Sequence, residues 1–210
     1  KIFGHGHPRL NPPQIIGHEI AGEIIEVGKD TSGYSVGDRV QIIAAVPCEE
    51  CWACKAGKQG ICINQTSMGY QYPGGFAEEM IVPAAVLKAN GVNIIPGDLS
   101  FDEASVTEPL ACALNAQRLI HVGDGDTVLV MGAGPIGCLH VRLARALGAT
   151  KVMLADVNGG RLHLSADVVK PDRAIDMSSE DLAAIVLEET DGIGPSVIIT
   201  AAPAGVAQEQ

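Results

Sequence analysis

Cys48, Cys51, Cys54 and Cys62 crowd into one loop with the spacing C-x2-C-x2-C-x7-C. Thiolates this close along a chain are poor partners for a disulfide framework and good ligands for a tetrahedral metal. Four protein thiolates leave no coordination position for a substrate, so the loop reads as a closed structural zinc site. An iron–sulfur cluster is the main rival, because C-x2-C-x2-C also opens ferredoxin-type runs. The long third gap, and Ile63 rather than a proline after Cys62, count against it. A redox C-x-x-C fits less well still, with four thiols in one short loop.

A second stretch with chemistry is Gly132-Ala133-Gly134-Pro135-Ile136-Gly137, a G-x-G-x-x-G run. Glycine-rich turns are common, so context carries the reading. The run follows the apolar "TVLVM" and opens a helical pattern, and Asp156 ends the next apolar strand nineteen positions after Gly137. That is the arrangement of a dinucleotide-binding turn. Gly132 allows the tight turn and Gly134 lets the backbone approach a pyrophosphate. Gly137 lets the helix pack close to the strand, and the helix N-terminus favours the phosphate charge. Asp156 is placed to accept from adenosine ribose hydroxyls and to repel a 2′-phosphate, which favours NAD over NADP. Arg161 either covers the adenine or weakens that discrimination. The bland alternative is a βαβ turn without ligand.

Gly17-His18-Glu19 puts a histidine and a carboxylate side by side in an apolar, glycine-bounded run, and Glu108 in "VTEPLAC" is another carboxylate in apolar surroundings. Buried carboxylates need a partner, and a metal is one way to supply it. From spacing alone two readings stand: a ligand set, or a hydrogen-bonded turn histidine beside a surface glutamate. His5 and His7 near the chain end read as solvated. His121, His140 and His163 read as surface or structural, and Cys112 and Cys138 as plain packed thiols.

The elements that must position these residues fall into two patterns. Up to about residue 118 the chain shows short β-branched runs between glycines, "QIIGHEIAGEIIEVG" and "YSVGDRVQIIAAV", followed after the cysteine loop by "GGFAEEMIVP". Strands at this spacing suggest a barrel-like antiparallel domain. Ser100 and Glu103 form a capping box that opens a helical stretch. From residue 119 apolar strands and helices alternate. "TVLVM", "KVMLA", "RAID" and "SVIIT" read as strands; "GAGPIGCLHVRLARALG", where Ile136, Leu139, Leu143 and Leu147 recur at helical spacing, and "SSEDLAAIVLEET" hold helices. Pro135 suits the first helical turn and Gly148 the C-terminal cap. The second half therefore predicts βαβ units and a doubly wound parallel sheet, and the chain as a whole an α/β fold of two domains, 1–118 and 119–210.

Composition bounds the partners. The 210 residues are 47% hydrophobic and 19% charged, with a net charge of −11. Such an acidic chain repels nucleic-acid phosphates and anionic membranes, and no apolar run approaches the roughly 18 residues of a membrane span. A small molecule is the expected partner. Closely spaced free thiols favour a reducing compartment, hence the cytoplasm. Both chain ends read as cut.

Taken together, G-H-E-x-x-G at 17–22, G-D-R-V at 37–40, the cysteine loop, "GGFAEEMIVP", "EPL" at 108–110 and "GAGPIG" resemble the zinc-dependent medium-chain alcohol dehydrogenases over nearly the whole chain. The glutamate in "TEPLA" is similar to that of the sorbitol (polyol) and threonine dehydrogenase branch. The resemblance implies a GroES-like, mostly-β catalytic domain followed by a Rossmann domain, both incomplete. It implies two zinc ions, one structural on Cys48, Cys51, Cys54 and Cys62, and one catalytic. His18 corresponds to a ligand of the catalytic zinc; Glu19 and Glu108 correspond to carboxylates that coordinate that zinc or hold its water. Ile136, Asp156 and Arg161 correspond to NAD contacts. The family's first catalytic-zinc cysteine lies in a segment that would precede Lys1. The implied activity is oxidation of a secondary alcohol, a polyol or sugar alcohol, to a ketone by hydride transfer to NAD, in a dimer or tetramer. A threonine-type amino-alcohol dehydrogenase and a non-catalytic zinc- and nucleotide-binding fragment are the alternatives.

Overall fold

The computed structural model describes residues 7–202, which divide into two compact units after Glu108. In the first unit the elements are β1 (Ile20–Glu23), β2 (Arg39–Ile42), β3 (Ala45–Val46), α1 (Trp52–Lys55), β4 (Thr66–Ser67), α2 (Ala84–Lys88), β5 (Val92–Ile94) and α3 (Phe101–Ser105). The helix α4 (Thr107–Leu119) begins at the division, and the second unit continues with β6 (Thr127–Met131), α5 (Pro135–Ala146), β7 (Lys151–Asp156), α6 (Gly159–Val169), β8 (Arg173–Asp176), α7 (Leu182–Glu188) and β9 (Val197–Thr200).

In the first unit β2 is the centre of an antiparallel three-stranded sheet of order β1-β2-β5, with Ile20 opposite Ile42 and Val40 opposite Ile94. β3 and β4 form a separate two-stranded ribbon. Among the described residues, then, the expected barrel is an open sheet plus a ribbon. Ile20, Val40, Ile42, Val46, Met68, Val86 and Val92 form one core cluster. Gln41 is buried beside them, and its amide is satisfied by the Ile42 carbonyl and by Asn93. Arg39 donates to the carbonyls of Gly97 and Leu99 and lies 4.6 Å from the Phe101 ring centre, which ties the start of α3 to the sheet. The Ser100–Glu103 capping box is present in full.

The strand expected at "GGFAEEMIVP" is absent. Its backbone donors go elsewhere: Gly74, Phe76 and Gly75 donate to the carbonyls of Ile15, Ile16 and Gly17 at 2.8, 3.0 and 3.0 Å. Gly74 packs its backbone directly on that of Ile16 and Gly17, and Gly75 leaves room for the Ile20 side chain. Conversely, β5 has only three residues, too few to show an alternation in sequence.

The second unit is a parallel sheet of order β8-β7-β6-β9. Its solidly apolar strands are explained by burial on both faces. Val128, Val130, Val152 and Leu154 pack with Val141 and Ala144 of α5 and Leu162 and Val169 of α6. The alternate side chains Leu129, Met131, Met153, Ala155 and Ile175 pack with Val186 of α7. Each fully buried aliphatic side chain contributes about 1.5–3 kcal/mol. The helix α6, which "GGRLHLSADVV" did not signal by itself, is capped by the Asn158 side chain accepting from the Arg161 amide.

Of the two readings left open for His140, surface or structural, the fold takes the structural one, while one cysteine departs from its expectation. His140 is buried, and Gln117 donates from one amide nitrogen to its Nδ1 (3.0 Å) and its carbonyl (2.9 Å). The carbonyl requires a donor at that position, so Nδ1 must be the acceptor and the imidazole is neutral. Cys112 is exposed rather than packed, whereas Cys138 lies against the sheet-covering core. No described helix is long and apolar enough to cross a membrane.

Candidate functional sites: a thiolate loop, a histidine cleft and a glycine turn

The four cysteines converge. Their sulfur atoms all lie within 4.8 Å of one another, and all are free thiols. Cys51 caps α1 and Cys54 lies on it, so one short helix sets their separation; a 3-10 turn, Gln59–Ile61, returns the chain to place Cys62. Backbone N–H groups of Cys48 and Cys51 point at the sulfurs of Cys62 and Cys48, at 3.3 and 3.4 Å. The backbone amide of Cys54 leads in lowering the Cys51 thiol to about 6, and those of Glu50 and Cys51 lower Cys48. Burial pushes Cys54 up to about 12. Amide donors thus favour thiolate on two sulfurs while burial opposes it on a third. A bound cation is what lets all four ionise together, and the donor set fits zinc. Among the described residues this is the one group of three or more metal-binding side chains in range of each other.

His18 lines an open cleft of about 220 Å³ together with Glu108, His7, Arg9, Ser67 and Tyr70. Its position depends on glycines. Gly17 has φ +97°, and a Cβ there would lie 2.6 Å from the Phe76 ring. A Cβ on Gly74 would lie 2.2 Å from the Gly17 carbonyl oxygen, and one on Gly69 2.8 Å from it. The segments at 69 and 73–76 therefore press backbone against backbone on the residue before His18. Tyr70 meets both histidines, edge-on to the His7 ring at 4.9 Å and tilted to the His18 ring at 5.9 Å. Of the expected ligand trio, the fold brings His18 and Glu108 to one cleft. Glu19 is exposed and is not among the residues that line the cleft. His7 was expected to be solvated and instead belongs to the cleft; His5 lies outside the described residues. Nothing in the local sequence marked Arg9, Ser67 or Tyr70.

The glycine turn is built as its spacing requires. Gly132 has φ +115°, and its amide donates to the Ala155 carbonyl at 2.7 Å. A Cβ on Gly137 would lie 1.8 Å from the Gly132 carbonyl oxygen, so only glycine lets α5 start this close to β6. A Cβ on Gly134 would meet nothing within 4 Å, so the space beside it is open to a ligand. Pro135 occupies the first helical turn and Ile136 is 42% exposed. The Ser165 hydroxyl donates to the Ala133 carbonyl at 2.7 Å, a support that depends on α6 and left no motif in the sequence.

Asp156 is buried, and its carboxylate accepts four hydrogen bonds. They come from the amides of Ala133 (2.7 Å) and Asn158 (2.8 Å), and from Arg161 Nε (3.0 Å) and a terminal guanidinium nitrogen (2.6 Å). Burial, the largest single influence, raises its pKa; Arg161 and the two amides together outweigh it and hold the carboxyl below its ordinary value. A carboxylate has about four lone-pair sites. A ribose hydroxyl must therefore share one with Arg161 or displace it.

The chain thus pairs a Rossmann-type parallel sheet and its glycine turn with an antiparallel unit that carries a thiolate loop. Residues 1–91 match the alcohol dehydrogenase GroES-like domain family. The L-threonine 3-dehydrogenase of Pyrococcus furiosus is 38% identical over 204 residues, 96% of this chain and 56% of that protein. The structure of galactitol-1-phosphate dehydrogenase from Escherichia coli superposes with TM-score 0.80 at 28% identity, covering 91% of this chain and 54% of that one. The short chain alcohol dehydrogenase of Escherichia coli CFT073, complexed with NADH, gives TM-score 0.82 at 33% identity, with 93% and 56% covered. The chain belongs to the zinc-type medium-chain alcohol dehydrogenase family. It spans little more than half the length of the relatives it matches.

Proposed function

We propose that the protein is an NAD-dependent zinc dehydrogenase that oxidises a secondary alcohol to a ketone. The observation that carries this is the meeting of His18 and Glu108 on one cleft wall, in a chain that also holds the four-thiolate loop and the glycine turn. An imidazole and a carboxylate are suitable zinc donors. Zinc bound there would act as a Lewis acid on the substrate hydroxyl. His18 and Glu108 hold the reacting centre, and the thiolate loop is structural. Gly132, Gly134, Pro135, Ile136 and Gly137 form the pyrophosphate turn, and α5 presents its N-terminal amides there. Asp156 and Arg161 contact the adenosine end, with the buried carboxylate favouring NAD. NADH in the Escherichia coli CFT073 relative supports this cofactor.

Polyols or sugar alcohols are the first substrate class. Threonine-type amino alcohols have comparable support, because the P. furiosus relative at 38% identity is an L-threonine 3-dehydrogenase. The full protein is read as a cytoplasmic dimer or tetramer, in keeping with free thiols that a reducing compartment preserves. Replacing His18 with Ala in the full-length protein is expected to abolish alcohol oxidation while NAD binding persists. Undiminished turnover would refute the zinc mechanism.

A further inference from the structure

The chain carries a net charge of −11, so an anionic small molecule meets a repulsive mean field. The cleft wall is less acidic than that mean: it carries the Arg9 guanidinium, with Glu108 the single carboxylate among the described lining residues, so one positive group is on offer there. Most other arginines are engaged: Arg145, Arg161 and Arg173 pair with Asp172, Asp156 and Glu180, and Arg39 with backbone carbonyls and the Phe101 ring. Among the described residues no carboxylate lies within ion-pair range of the Arg9 guanidinium.

A guanidinium offers a planar fork of donors that matches a carboxylate or a phosphate, and a charge-assisted hydrogen bond is about twice as strong as a neutral one. A neutral polyol can accept from that fork through a hydroxyl oxygen, but it brings no opposite charge and no pair of oxygens to match the two donors, so it gains less. Ser67 and Tyr70 add polar groups beside it, suited to an oxyanion or to a neighbouring hydroxyl.

We infer that Arg9 binds an oxyanion, carboxylate or phosphate, on the substrate, so that the physiological alcohol is anionic rather than a neutral polyol. This rests on the cleft being the dehydrogenase site. Arg9 is a specificity-determining residue that binds the part of the substrate that does not react, and contributes to the affinity of ground and transition states alike.

The test compares wild type, Arg9→Gln and Arg9→Lys in the full-length, zinc-loaded enzyme with NAD. Substrates are L-threonine for the carboxylate arm, galactitol 1-phosphate for the phosphate arm, and galactitol and sorbitol as neutral alcohols. For the anionic substrate that is turned over, Arg9→Gln is expected to raise KM roughly 10- to 100-fold with kcat little changed. Arg9→Lys should recover part of that loss, and the neutral alcohols should lose far less, within a few-fold of wild type. A KM for the anionic substrate that ignores Arg9→Gln, or an equal loss on neutral substrates, overturns the inference. Calorimetric titration with inorganic phosphate and acetate runs alongside. Binding that weakens in Arg9→Gln supports the inference, and absent or Arg9-independent binding refutes it. If wild type oxidises no alcohol at all, the dehydrogenase reading is what has failed, and the titration still decides the role of Arg9.

Discussion

Two alanine substitutions in the same glycine turn should separate folding from ligand binding. At Gly137 the new Cβ would lie 1.8 Å from the Gly132 carbonyl oxygen, 3.0 Å from its carbon and 3.6 Å from Val130 Cγ1. Carbon and carbonyl oxygen touch at about 3.3 Å, so the turn has to open by ~1.5 Å. The obstacle is backbone, and it is itself held: the Gly132 amide donates to Ala155, and a Cβ on Gly132 would lie 2.9 Å from the Ala201 carbonyl. Overpacking of this kind costs about 1–3 kcal/mol or more, partly offset by the ~1 kcal/mol that alanine gains over glycine within a helix. Gly137→Ala should therefore lower the melting temperature by roughly 4–8 °C for each net kcal/mol in a unit of this size. It should weaken NAD binding as well, because the turn is displaced. At Gly134 the backbone has φ −77° and ψ −179°, which alanine adopts freely, and the added methyl meets no protein atom within 4 Å. Gly134→Ala should leave the melting temperature within about 1 °C, yet weaken NAD binding roughly tenfold or more, since the methyl takes the space that a pyrophosphate must approach. Differential scanning fluorimetry and calorimetric NAD titration on the same preparations give both readouts. If Gly134→Ala binds NAD like wild type, the pyrophosphate does not approach Gly134 and the assignment of that contact to the glycine turn falls.

Metal analysis should find zinc on the thiolate loop; Cys54→Ser should lose that equivalent and unfold the first unit at lower temperature, and an unchanged metal content would disprove the ligand set. Arg161→Ala removes two of the four hydrogen bonds to Asp156, leaving a buried carboxylate to face the ribose alone. The NAD-over-NADP preference should rise roughly tenfold in parallel titrations, and an unaltered ratio would show that Arg161 takes no part in it. For His140 burial holds the pKa below its ordinary 6.5. On acidification the unfolded chain takes up this proton first. The stability contribution is therefore complete above about pH 6.5 and is lost progressively as the pH falls from there toward the folded value. Denaturation midpoints measured between pH 8 and 5 should show this decline in wild type and a shallower one in His140→Gln; parallel curves would contradict it.

Much of this protein is set out locally in its sequence. The cysteine spacing alone brings four sulfurs together, since a four-residue helix and a short return turn leave the chain little choice. The parallel sheet is legible for the same reason: strands apolar at every position have to be covered on both faces, and a glycine turn between strand and helix admits one geometry. What lay outside the sequence depends on distant segments meeting. "GGFAEEMIVP" has the composition of a strand, but its amides find their acceptors at Ile15, Ile16 and Gly17, almost sixty residues away, so it is a brace for His18. His18, Glu19 and Glu108 formed one trio by motif. The fold brings His18 and Glu108 to the cleft wall and leaves Glu19 exposed, a difference that depends on which segments meet at the cleft. Arg9 and Tyr70 carry no local signal; the packing of Gly69 and Gly74 on Gly17 brings the Tyr70 loop to His18, and the His7 ring meets Tyr70 edge-on. Likewise Asp156 was readable as an acceptor for ribose. Only the tertiary structure reveals that Arg161 and two backbone amides already fill its four lone-pair positions.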